Sequence, residues 1–134
     1  MAEPAAVTDT HALVFHAAGG GRLGPKARAH FVAAEQRDAL VYVPAAVIWE
    51  VSLLARAVRI NLHRPVRAFF DDLFSNPAYQ PHGLDAPQVF DADELRFTRD
   101  PFDALICAAA RDLGLPLLTR DAAITDADVV PTLW

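Results

Sequence analysis

The chain has 134 residues, 53% of them apolar and 22% charged, and its 12 basic and 17 acidic side chains leave a net charge of −5. That composition excludes a disordered chain, and the acidic balance argues against a surface coated in positive charge for nucleic acid. A single cysteine, Cys107, excludes an internal disulfide and fits a reducing compartment. No apolar run nears the roughly 20 residues of a bilayer span, and the Met1–Pro4 start lacks the features of a signal peptide. The expectation is one soluble domain over residues 1–134, away from the membrane and in the cytoplasm.

Ala5 to Asp9 reads as a buried strand ending in a carboxylate, and Leu13 to Ala18 as a short helical turn broken by Gly19-Gly20-Gly21. That glycine cluster is no phosphate-binding loop, because Gly24-Pro25-Lys26-Ala27 lacks the Gly-Lys-Ser/Thr closure. Pro25 opens a helix running to Arg37, with Ala29, Val32 and Ala33 expected inward. Leu40 to Val43 is a second strand, closed by Pro44, and a long helix follows from Ala45 to Arg59. Val47, Val51, Leu54 and Val58 form its expected core stripe, and Glu50 lies on that stripe. Pro65 opens a helix over Val66 to Phe74. Tyr79 to Gly83 is a short strand that Pro81 limits to a sheet edge. Ala86 to Leu95 reads as an acidic surface helix.

Asp100-Pro101-Phe102-Asp103 opens the best-marked helix, which runs to Leu113 and stops at Gly114. Asp103, Ile106, Ala110 and Leu113 make its expected inward stripe. Leu115 to Thr119 is a strand closed by Arg120-Asp121, and the tail from Asp128 to Trp134 supplies an edge strand. Strands alternating with helices imply βαβ units and hence a three-layer α/β/α sandwich around a mostly parallel sheet of about five strands.

Four acids stand out. Asp9 and Asp121 end apolar strands, while Glu50 and Asp103 sit on the core stripes of helices. Each has a plain structural alternative. Asp9 and Asp121 suit helix caps, Asp100 and Asp103 suit a cap and a capping-box position, and Glu50 suits a partner for Arg56 or another arginine. In a parallel sheet, however, the strand ends share one edge, so the four acids converge. Two carboxylates about 4 Å apart repel by about 4 kcal/mol at an effective dielectric of about 20. A shared proton or a cation must relieve such a cluster. Oxygen-only ligation favours Mg²⁺ or Mn²⁺ over zinc, which one cysteine and five scattered histidines serve poorly. The stretch from Val51 to Phe70 holds no acid but gathers Arg56, Arg59, Arg64 and Arg67, a pattern that fits phosphate contacts or simply an arginine-rich composition.

At these residues the chain resembles a known family. Thr8-Asp9-Thr10-His11-Ala12-Leu13, Ile48-Trp49-Glu50-Val51, Arg99-Asp100-Pro101-Phe102-Asp103-Ala104-Leu105-Ile106 and Leu117-Leu118-Thr119-Arg120-Asp121 look like PIN-domain motifs, in the family's order across nearly the whole chain. The small size looks most like the VapC-type toxins of toxin–antitoxin pairs. The resemblance implies a five-stranded parallel sheet in order 3-2-1-4-5, Mg²⁺- or Mn²⁺-dependent endoribonuclease activity on RNA, a homodimer and a cognate antitoxin. It maps the acidic quartet onto Asp9, Glu50, Asp103 and Asp121, with Asp100 as a competitor for the third place and Thr10 and Thr119 as supporting hydroxyls. Asp9, Asp103 and Asp121 would hold the metal, Glu50 would complete the cluster or orient the attacking water, and Arg56, Arg59 and Arg64 would contact the RNA backbone. A haloacid-dehalogenase-type phosphatase would need an acid where His11 stands, and a receiver domain would need a lysine elsewhere than Lys26. An inactive module that keeps the fold is the remaining alternative.

Overall fold

A computed structural model describes residues 3–134. The elements alternate through the chain as β1 (Ala5–Thr8), α1 (Thr10–Ala17), α2 (Pro25–Glu35), β2 (Leu40–Pro44), α3 (Ala45–Arg56), α4 (Val66–Ser75), β3 (Tyr79–His82), α5 (Ala86–Glu94), α6 (Pro101–Leu113), β4 (Leu117–Leu118), α7 (Ala122–Ala127) and β5 (Thr132–Leu133). The five strands form one parallel sheet in the order β3-β2-β1-β4-β5, flanked by helices as a three-layer α/β/α sandwich. β1 lies at the centre, with Val7 opposite both Tyr42 of β2 and Leu117 of β4. Ala6 and Val7 are consecutive yet both fully buried, as are Leu117 and Leu118. Alternate residues of a strand face opposite sides, so both faces of the sheet are covered.

This topology places the site. The chain order reverses beside β1, where β2 leads to one side and β4 to the other, and the C-terminal ends of those strands frame a crevice. Thr8 pairs with Leu118, so the residues that follow each strand, Asp9 and Thr119, emerge side by side.

Several local expectations are corrected. α1 begins at Thr10 rather than Leu13, because the Asp9 carboxylate caps it by accepting from the Ala12 N–H at 2.8 Å. The buried face of α2 consists of Ala27, Phe31 and Ala34, whereas Val32 is half-exposed. The sequence stripe was offset because Phe31, the largest apolar residue of the helix, sets which face turns inward. α2 also ends at Glu35, and Arg37 takes a left-handed φ of 62°. α3 ends at Arg56, not Arg59. Val58 lies beyond it in the left-handed region (φ 56°) and is 86% exposed, so it belongs to no core stripe. A β-branched residue there costs roughly 1–2 kcal/mol, and it turns the chain into the Arg59–Arg64 loop. β3 is the edge strand that Pro81 requires.

Candidate active site

Asp9 follows the central strand and is held from three directions. Its backbone N–H donates to the Leu118 carbonyl of β4 at 3.1 Å, its Oδ1 accepts from Ala12, and the Thr119 side chain stands near enough to favour its ionised form. The Thr119 oxygen in turn accepts the Asp121 N–H at 3.1 Å. One buried hydroxyl therefore stands between two acids that follow two neighbouring strands. Asp121 caps α7, with Oδ1 accepting from the Ile124 N–H at 3.1 Å. Asp100 caps α6 through the Phe102 N–H at 2.8 Å, which puts Asp103 in the first turn of that helix. Capping and clustering are thus compatible. In Asp9, Asp100 and Asp121 the helix N-terminus takes Oδ1, and Oδ2 stays available for other contacts.

The electrostatics show that the acids share one neighbourhood. Burial pushes the Asp103 carboxyl up from 3.8 to about 7, helped by the charges of Asp100, Asp121, Glu50 and Asp9. Asp9, almost fully buried, is also raised by burial; the Thr119 side chain, the hydrogen bond from Ala12 and the nearby His11 oppose this, and Asp121 adds to it. Cys107 lies one turn along α6 from Asp103. Burial and then Asp103, Asp121 and Asp9 push its thiol up to about 12, against an opposing Arg111. Three groups on two elements therefore register the same negative field. Among the described residues no ion pair relieves it, because none of Asp9, Glu50, Asp100, Asp103 or Asp121 has a cationic partner. The alternative of a Glu50–Arg56 pair is corrected: the Arg56 guanidinium lies over the Trp49 ring, 5.2 Å from its centroid. Glu50 is half-buried.

The donor set fits a hard divalent cation: carboxylate oxygens, mutually repelling, with no thiol or imidazole among them. The Thr10 hydroxyl adds a second sign, being fully buried and without a hydrogen-bond partner. Among the described residues no three acidic, histidine or cysteine side chains stand close enough to ligate one ion together. A cation held there would keep waters in its coordination shell, as Mg²⁺ does.

Beside the acids, a cleft of about 890 Å³ opens between α1, the turn after it and the Arg59–Arg64 loop. Its walls carry His11, Arg22, Arg59, His63 and Arg64 and no acidic side chain. Of the three arginines expected at RNA, Arg59 lines this cleft freely. Arg64 lines it while paired to Asp72 at 3.1 Å, and Arg56 lies outside it on Trp49. Sequence reasoning passed over Arg22 and Arg120, whose guanidiniums lie 5.6 and 4.8 Å from the Phe15 ring centre. The position of Arg120 beside Asp121 was the signal that could have found it.

The PIN domain family model matches residues 6–130. The chain belongs to the PIN domain family. Solved structures agree in fold. VapBC2 from Rickettsia felis, bound to a DNA fragment from its promoter, is 14% identical with a TM-score of 0.69, covering 96% of this chain and 97% of that one. A toxin–antitoxin complex from Klebsiella pneumoniae is 17% identical (TM-score 0.64, 96% of each chain). FitAcB from Neisseria gonorrhoeae is 18% identical (TM-score 0.63, 96% of each chain). No curated protein matches this PIN domain significantly by sequence. Among its described residues, no helix is long and apolar enough to cross a membrane.

Proposed function

We propose that this PIN domain is a metal-dependent endoribonuclease acting as the toxin of a toxin–antitoxin pair. The observation that supports this most is Asp103, a half-buried carboxyl raised to about 7 by burial and by four other acids, with no cation of the chain to offset them among the described residues. Nothing in folding alone rewards such a group, whereas a bound cation does. Asp9, Asp103 and Asp121 would hold Mg²⁺ or Mn²⁺, directly or through its waters, and the ion when bound acidifies a water and neutralises charge on phosphoryl oxygens. Glu50 would orient the attacking water through its carboxylate. Thr119 would fix the Asp9 carboxylate by its hydroxyl, and the unpartnered Thr10 hydroxyl would bond a water of the site. Arg59 and Arg64 would bind the RNA backbone without reading its sequence.

The antitoxin partner is inferred from the toxin–antitoxin complexes that share the fold, and a homodimer and a cytoplasmic location accompany that reading. Incubation of the purified chain with cellular RNA tests it. Fragmentation is expected with Mg²⁺ or Mn²⁺ and not with chelator, and Asp9→Asn is expected to abolish it. Activity indifferent to chelation and to Asp9→Asn would overturn the proposal, as would no cleavage of any RNA, which would leave an inactive module. Calorimetry with Mg²⁺ on Glu50→Gln checks the fourth acid. Unchanged affinity would remove Glu50 from the direct ligands.

A further inference from the structure

The ribonuclease reading leaves unexplained why one buried ring of the cleft wall carries two free arginines. Phe15 projects from α1, the same helix that Asp9 caps, so one rigid element fixes both. The ring is 7% exposed and wedged by Trp134, whose own ring lies 6.3 Å away at 65°. It is too enclosed to stack a nucleobase. Two guanidiniums do reach it, Arg22 from the turn after α1 and Arg120 from the turn that carries Thr119 and Asp121. Among the described residues neither is paired to a carboxylate, and both residues are exposed.

A cation over a ring face gains electrostatic attraction from the π-system. The N–H donors of both guanidiniums are unspent: among the described residues the arginine side-chain hydrogen bonds come from Arg64 and Arg111. Those donors form the fork that bonds phosphate oxygens in pairs. Holding the fork on a ring also removes beforehand part of the side-chain freedom that binding would otherwise cost. Arg120 directly precedes Asp121, so the turn that carries it ends at the acid cluster. Arg22 stands in the cleft wall that leads away from it.

We propose that Arg22 and Arg120, positioned by Phe15, form a two-arginine grip on the backbone phosphates of a single RNA strand that runs from the acid cluster into the cleft; this deepens the ribonuclease reading and rests on it. The alternative occupant, an acidic protein segment, has no need of a cation on the turn that carries Asp121. A nucleic-acid strand does, because its phosphates must pass that turn to react.

Binding without metal or turnover tests the grip apart from the chemistry. A short single-stranded RNA with 2′-O-methyl riboses is titrated with the full chain in chelator, read by fluorescence anisotropy across a salt series. Arg22→Gln/Arg120→Gln is compared with Arg67→Gln/Arg96→Gln, which removes the same charge from two highly exposed surface pairs. The grip variant is expected to bind at least about tenfold more weakly at low salt. Its slope of log K against log salt is expected to be shallower by about 1.4, the share of two phosphates on a single strand. The control is expected to bind as wild type. Phe15→Leu is expected to weaken binding severalfold with the salt slope unchanged, since the charges remain and only their platform is lost; wild-type affinity there overturns the role of the ring. Equal losses in both double variants would overturn the proposal, reducing it to net charge. Unchanged RNA binding with lost binding of a polyglutamate peptide would also overturn it, giving the cleft to an acidic segment. Cation-dependent cleavage by wild type together with unaltered RNA binding by the grip variant would sink the grip alone. Absence of cleavage with the grip signature intact would sink the nuclease reading alone.

Discussion

Replacing Asp103 by Asn should stabilise the protein when no divalent cation is present, and only at neutral to alkaline pH. A carboxyl moved from 3.8 to about 7 by folding would cost about 4 kcal/mol once fully ionised. Asp103 is only half-buried, and solvent screening reduces this to about 1–2 kcal/mol. The first turn of α6 favours the ionised form by about 0.3–1 kcal/mol through the helix dipole, but burial and four neighbouring acids prevail. The folded state binds more protons than the unfolded state between the two values, so stability falls as pH rises from about 4 to about 7 and is flat above. Asp9 is raised as well and acts in the same direction. Thermal unfolding in chelator should therefore show Asp103→Asn melting about 3–8 °C above wild type at pH 8 and nearly level with it at pH 5. Added Mn²⁺ should raise the melting point of wild type and do little for the variant. A variant less stable than wild type at pH 8 in chelator, or a difference that ignores pH, would refute the reasoning.

Two further outcomes follow from packing. Cys107 is fully buried and its thiol is pushed up to about 12, so thiol reagents should leave the folded protein unlabelled at pH 8 and react fully once denaturant is added; rapid native labelling would contradict the placement of α6. At Gly24 an added Cβ would stand 2.5 Å from the Trp134 carbonyl carbon and 2.6 Å from its ring. Gly24→Ala should lift Trp134 off Phe15, shift tryptophan fluorescence and cost about 1–3 kcal/mol. Gly21→Ala faces open space and should be neutral; equal effects at both positions would contradict the contact.

β1, β2 and β4 were legible because each is a short apolar run. Val41 and Val43 sit deep in β2 and Leu117 and Leu118 in β4, and no helical period competes there. The anomaly of Glu50 on an apolar stripe was legible for the same reason. Helix ends and faces were less so. Nothing local told Val58 from Val51, since both continue the same period, and only the left-handed turn at Val58 separates them. The caps misled in another way. Asp9 had been weighed as either a cap or a site residue, whereas one carboxylate oxygen caps α1 and the group still lies in the acidic field. Arg120 was marked by its place beside Asp121, but its pairing with Arg22 was not legible, because their common feature is a ring from a third segment and no spacing along the chain encodes that.

The central claim is that the acids act through a cation to direct water at an RNA phosphodiester. Mass spectrometry of the ends left by cleavage tests it most directly. Hydrolysis by a metal-activated water leaves linear phosphate and hydroxyl ends, requires Mg²⁺ or Mn²⁺, and tolerates a 2′-deoxy ribose at the scissile position, because the 2′-hydroxyl takes no part. Those products are expected from the wild-type chain and none from Asp9→Asn or Asp103→Asn. Products ending in 2′,3′-cyclic phosphate, or cleavage that survives chelation, would contradict it.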